Sequence, residues 1–149
     1  MAGFFDEVTG GLVAYWRSKA AITALVGSGS AARIIPLISR KRYVGQTKIV
    51  FERGDGEAVN HLAGVSGMRH TVLYVYCYDS TLAGADAIAE AVRQNTANYR
   101  GTMSGTYVHW IECSDALDDD IDETLAATDT HHIYVRVILR ITHAEALGI

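Results

Sequence analysis

The side chains of this chain that could do more than pack are its histidines, its two cysteines and a run of acidic residues late in the sequence. Metal binding is the first chemistry to test. His131 and His132 are adjacent, so on a strand they point to opposite faces and cannot reach one ion together. His109 and Cys113 share a strand face, yet a zinc site on them lacks the close ligand pairing of tetrahedral sites. Asp118-Asp119-Asp120-Ile121-Asp122-Glu123 has the charge of a calcium loop without its central glycine or its alternate ligand spacing. Nucleophilic catalysis fares no better. Ser66, in Gly64-Val65-Ser66-Gly67, precedes a strand instead of joining strand to helix, and no G-x-S-x-G occurs. Gly27-Ser28-Gly29-Ser30 follows a helix, and no G-K-[ST] completes a phosphate loop. Tyr74, Tyr76 and Tyr78 could stack on bases, but no basic residue interleaves with them on that strand. The reading is a protein with no catalytic residues, no cofactor and no metal.

The totals narrow the class further. A chain of 149 residues, 49% hydrophobic and 20% charged, is expected to form one domain over residues 1–149 with a sizeable core. Its net charge of −4 argues against a protein that coats nucleic acid, since phosphate neutralisation needs clustered Lys and Arg. Arg40-Lys41-Arg42 is the nearest approach to such a cluster and reads as a solvated turn or arm. Cys77 and Cys113 fall inside strands and read as small core residues of a reduced chain. There is no signal-peptide pattern and no apolar run of the ~20 residues that span a bilayer, so the chain reads as soluble and intracellular when made.

The elements that would position these residues are set by periodicity. Phe4 to Val26 reads as one helix with a weak point at Gly10-Gly11, closed by Gly27. Arg33 to Leu37 is a short strand, placed at an edge or bend by Pro36. Thr47 to Arg53 is a strand, Gly54-Asp55-Gly56 a turn, and Glu57 to Val65 either a strand or an ordered loop. Arg69 to Tyr78 is apolar on both faces and therefore central. Asp79-Ser80-Thr81 caps a helix whose buried stripe is Leu82, Ala85, Ile88, Ala89, Val92, Thr96 and Tyr99. After a reversal at Arg100 to Gly105, Thr106 to Cys113 is a strand, with Tyr107, His109, Ile111 and Cys113 on one face. Ser114 to Thr130 holds seven acidic residues and no basic one, and reads as a solvated, mobile loop. His132 to Thr142 is the last strand, and the tail from 143 to 149 is expected to fray. These elements sum to an α+β fold: a mixed, largely antiparallel sheet of about four to five strands, with two main helices on one face.

The order of these segments resembles the bacteriophage tail-completion, or tail-terminator, protein family, which also occurs in gene transfer agent particles. The residues that carry the resemblance are A-A-I-T-A-L-V-G (Ala20 to Gly27), R-I-I-P (Arg33 to Pro36), T-K-I-V-F-E-R (Thr47 to Arg53) and N-H-L-A-G-V-S-G (Asn60 to Gly67). T-V-L-Y-V-Y-C-Y-D-S (Thr71 to Ser80), A-I-A-E-A-V-R (Ala87 to Arg93), Y-R-G-T (Tyr99 to Thr102) and I-Y-V-R-V-I-L-R-I (Ile133 to Ile141) complete it. The basic run at Arg40 and the acidic segment are more elaborate than a minimal member needs. The resemblance implies a homo-oligomer, commonly a six-fold ring, in the virion at the head-proximal end of the tail. Such a ring stops tail-tube polymerisation and meets the tail tube protein and a head-completion or stopper protein. DNA would be passing cargo only, and no membrane is involved. A head-closure or adaptor protein of the neck, or a small ligand-binding domain, are the alternatives.

A closed ring needs one patch that meets a different patch on the next copy. The semi-polar face of the last strand (Tyr134, Arg136, Arg140) and the acidic residues Asp118, Asp119, Asp120, Asp122 and Glu123 are candidate subunit or tube surfaces, as are Arg40, Lys41 and Arg42. The acidic segment could instead line the channel and keep DNA from sticking. Ordinary solvent-facing charge is the competing account of all of them.

Overall fold

The computed structural model describes residues 4–61, 64–103, 105–114 and 118–144. In chain order they form α1 (Phe4–Arg17), α2 (Ala20–Val26), β1 (Ile34–Pro36), β2 (Lys48–His61), β3 (Gly64–Asp79), α3 (Leu82–Thr96), β4 (Gly101–Met103), β5 (Thr106–Cys113), β6 (Asp118–Ile121), α4 (Glu123–Ala126) and β7 (Ile133–Ala144). The class is α+β, but the sheet has seven strands, more than the periodicity suggested. Its order is β1-β2-β3-β7-β5-β4, with β6 also pairing β7. Every pairing is antiparallel except β1 with β2. Pro36 ends the edge strand β1, where its missing N–H costs no ladder bond.

β3 lies between β2 and β7, as a strand without a polar face should. Leu73, Val75 and Cys77 join Val135, Val137, Leu139 and Ile141 of β7 in a core under α1, α2 and α3. Burial pushes the Cys77 thiol well up and the Cys113 thiol up to about 11, so both stay protonated near neutral pH. In α3 the Thr81 hydroxyl accepts from the Gly84 N–H at 3.0 Å. The buried stripe is Ala85, Ile88, Ala89, Val92 and Thr96. Leu82, expected in that stripe, is exposed, and Tyr99 packs beyond the helix end against Tyr15. A Cβ at Gly84 would overlap the Asp79 carboxylate, which therefore sits over the first turn of α3.

Four local expectations needed correction. Phe4 to Val26 is two helices, broken at Ser18-Lys19, where the Lys19 carbonyl starts α2 by accepting from Ile22 and Thr23. The break lets Trp16 bury completely, its indole N–H donating to Thr96 Oγ1 at 2.8 Å. The indole therefore loses no hydrogen bond on burial. Gly54-Asp55-Gly56 is a bulge inside β2 and not a turn, since the register slips between Arg53 and Gly56 and the strand continues. In β5 a second slip between Val108 and Trp110 places Val108 and Ile111 together in the core. Trp110 is 46% exposed. A strict alternation could not reveal either slip. β7 runs on to Ala144 with His143 buried, and the rest of the expected tail lies outside the described residues.

Gly11 is not the weak point that helix propensity implied, because it is a contact. A Cβ there would stand 2.9 Å from Met103 Cβ and 3.0 Å from its carbonyl oxygen, whereas nothing lies within 4 Å of one at Gly10. Gly11→Ala should therefore destabilise by about 1–3 kcal/mol, as overpacking does. Gly10→Ala should stabilise by about 0.5–1 kcal/mol through helix propensity. Urea unfolding midpoints of the two variants would show opposite signs.

Candidate functional site

Helices α1, α2 and α3 cover one face of the sheet, and the candidate residues lie on or around the other, except Asp119, which sits opposite Val135 on the helix side. Cross-strand partners set them in rows: Lys48, Tyr78, Tyr134 and Asp120, then Val50, Tyr76, Arg136 and Asp118. Glu52, Tyr74 and Ile138 form the next row, and Val72, Arg140 and Glu112 the one after. One end of this face is roofed by the basic loop 37–46 from one side and by β6 and α4 from the other. Ile35, Val50, Tyr78 and Leu125 make a small second core beneath, with Leu37, Tyr43, Tyr76 and Tyr134 packed on it.

The roof corrects two readings at once, because neither the basic run nor the acidic segment is a free solvated loop. Lys48 is fully buried, and its ammonium donates to the carbonyls of Arg40 (2.6 Å) and Arg42 (3.0 Å) and to Asp129 Oδ2 (3.2 Å). Asp129 Oδ1 accepts from the N–H groups of Gly45 and His131. Asp122 is a second hub. Its Oδ2 accepts from the Tyr78 hydroxyl at 2.7 Å and pairs with Arg40 Nε at 3.2 Å. Its Oδ1 caps α4 through Thr124 and Leu125 N–H. Burial, then the Asp122 carboxylate, pushes the Tyr78 hydroxyl strongly up and keeps it a donor. Buried charges are tolerable only when paired and hydrogen-bonded, and these are. Asp115 of the acidic segment lies outside the described residues.

The other half of the face is open. The Arg136 guanidinium stands 5.5 Å from the Tyr74 ring centre. The Tyr76 hydroxyl donates to Glu52 Oε2 at 2.9 Å; burial first, and Glu52 next, push it up to about 12. Arg140 is exposed, directly across from Glu112 in the β7–β5 ladder. Of the other candidates, Asp120 and Glu123 are exposed on the roof, as are Lys41 and Arg42, with Arg42 against the Tyr43 ring; Asp119 is exposed on the helix side. Asp118 is placed by its backbone pairing with Arg136. Between loop 37–46 and β6 lies a notch of about 290 Å³, lined by Leu37, Arg40, Tyr76, Tyr78, Ile121, Asp122, Glu123 and Tyr134. Lys48 and Asp129 were not singled out by sequence. The one signal was a lysine set directly before the apolar run Ile49-Val50-Phe51.

Among solved structures, a chain in the virion of a native gene transfer agent particle matches with a TM-score of 0.70 and 14% identity. The match covers 97% of this chain and 99% of that one. This chain shares its fold with a chain of that virion. No family model matches, nor does any curated protein. At this identity the likeness establishes the fold, and it takes in nearly all of both chains. Among the described residues no three His, Cys, Asp or Glu side chains are grouped to hold a metal ion. His131 turns to Asp79 (3.7 Å), while His132 Nδ1–H donates to the Asp129 carbonyl. No described helix is long and apolar enough to cross a membrane.

Burial alone would raise the Asp129 pKa, but hydrogen bonds from Gly45, His131 and Lys48 outweigh it and hold the carboxyl below its ordinary 3.8. A depressed folded-state value means stability that is present above 3.8 and lost as pH falls through the lower folded value. Asp129→Asn should flatten that acid limb of the stability curve. Lys48→Met, which strands a buried carboxylate, should cost about 3–5 kcal/mol at neutral pH. Urea titrations across pH would check both.

Proposed function

We propose that this chain is a structural protein of a phage-like particle that caps the head-proximal end of the tail tube. In this reading it assembles there as a ring, commonly six-fold, ends tube polymerisation and forms part of the head–tail joint. The observation that carries the proposal is the fold likeness to a gene transfer agent virion chain over nearly all of both chains. The segment order that resembles the tail-terminator family supplies the tail-end role within that setting. The chemistry of the open face is compatible with assembly. Tyrosine, tryptophan and arginine are enriched at interface centres, and Tyr74, Arg136, Ile138 and Arg140 share this face with the exposed Trp110, which lies opposite Thr142.

Purified protein mixed with tail tubes should bind the tube ends and cap them with rings visible by negative stain. Protein that ignores tubes at every concentration would remove the reading. Binding to the portal side of capsids alone would favour a head-closure role. Within the proposal, Arg136→Glu with Arg140→Glu should abolish ring formation while leaving the monomer folded. Unchanged assembly would take the open face out of the interface.

A further inference from the structure

The turn after β1 leaves a large apolar side chain in water beside the notch. Ile38 is 92% exposed, next to Leu37 on the notch wall, and Ile121, 48% exposed, stands on the wall formed by β6. The phenol hydroxyls of Tyr78 and Tyr76 on its floor are already donating to Asp122 and Glu52. The floor therefore offers an incoming group chiefly aromatic carbon. A volume of about 290 Å³ falls at the small end of ligand pockets and suits one side chain with its flanking turn.

The two lips carry opposite charge. Lys41 and Arg42 are exposed on the lip that bears Ile38, and Asp120 and Glu123 on the other. No Lys or Arg occurs from Gly101 to Val135 to neutralise the acidic lip from its own segment. Arg40 and Asp122 are paired with each other at the base, so the remaining charges point outward as a basic and an acidic rim. An apolar centre between rims of opposite sign is complementary to a copy of itself. We propose that this patch binds a second copy of the chain. The turn at residues 37–42 of each copy seats Ile38 in the notch of the other, with Lys41 and Arg42 against its Asp120 and Glu123. The same patch serves both partners, so the contact is two-fold and closes a dimer; it is independent of the capping ring, whose neighbours must meet through two different patches.

Sedimentation velocity from low to high micromolar protein tests it. The wild type should self-associate, and Ile38→Asp should raise the half-assembly concentration about tenfold or more, as loss of a central anchor does. Lys41→Glu with Arg42→Glu should fail to assemble alone, and so should Asp120→Lys with Glu123→Lys. An equal mixture of these two variants should recover assembly, which loss of folding could not produce. The contact is overturned if the wild type stays monomeric, if Ile38→Asp assembles normally, or if the mixture gains nothing. A monomer that still caps tail tubes would defeat this contact and leave the capping role standing. Assembly lost in Ile38→Asp, with tubes ignored by the wild type, would do the reverse.

Discussion

One buried ion pair organises the tyrosine-lined side of this molecule. Lys48 and Asp129 stand far apart in sequence, yet their contact draws the loop after β1 and the segment before β7 over the same tyrosines. Each side chain spends its remaining valences on backbone. The ammonium holds two carbonyls of the basic loop, and the carboxylate holds two amide N–H groups. Such a pair adds little net stability against an apolar replacement of the same shape. What it specifies is position, because neither group can leave its partner without stranding a buried charge. The notch, its two charged rims and the exposed Ile38 all depend on that placement.

The helical side of the fold was legible in the sequence because apolar burial leaves periodic traces. Val75, Cys77, Val137 and Leu139 alternate along strands, Ala85, Ile88, Ala89 and Val92 recur at helical spacing, and all are buried. The β-class was visible for the same reason. Bulges were not, since a one-residue slip at Gly54 or His109 turns every later residue of the strand to the other face without changing composition. Gly11 was misread for a related cause: its local helix cost is visible in sequence, whereas the Met103 backbone against it is not.

The roof was the least legible part. Seven carboxylates without a counter-charge look like solvated loop when read alone, because the cations that answer two of them, Arg40 and Lys48, come from 82 and 81 residues earlier in the chain. Asp120 and Ile121 became strand by pairing with Tyr134 and Ile133, a partner already apolar enough to form a sheet without them. Of the residues first singled out by charge, Arg40 and Asp122 turned inward to each other. Lys41, Arg42, Asp119, Asp120 and Glu123 stayed outside and carry the polarity of the surface.

The Asp79 carboxylate over the first turn of α3 has a consequence for the anion affinity of that helix end. A helix of 15 residues presents partial positive charge and unpaired N–H groups at its start, which is a ready seat for phosphate. Here that seat is filled from within, by Asp79 together with the Thr81 hydroxyl, and glycine at 84 leaves room for the occupant. The strongest backbone attraction α3 could present is thus answered internally. The start of α3 therefore carries its own counter-charge and has little left to offer an external anion.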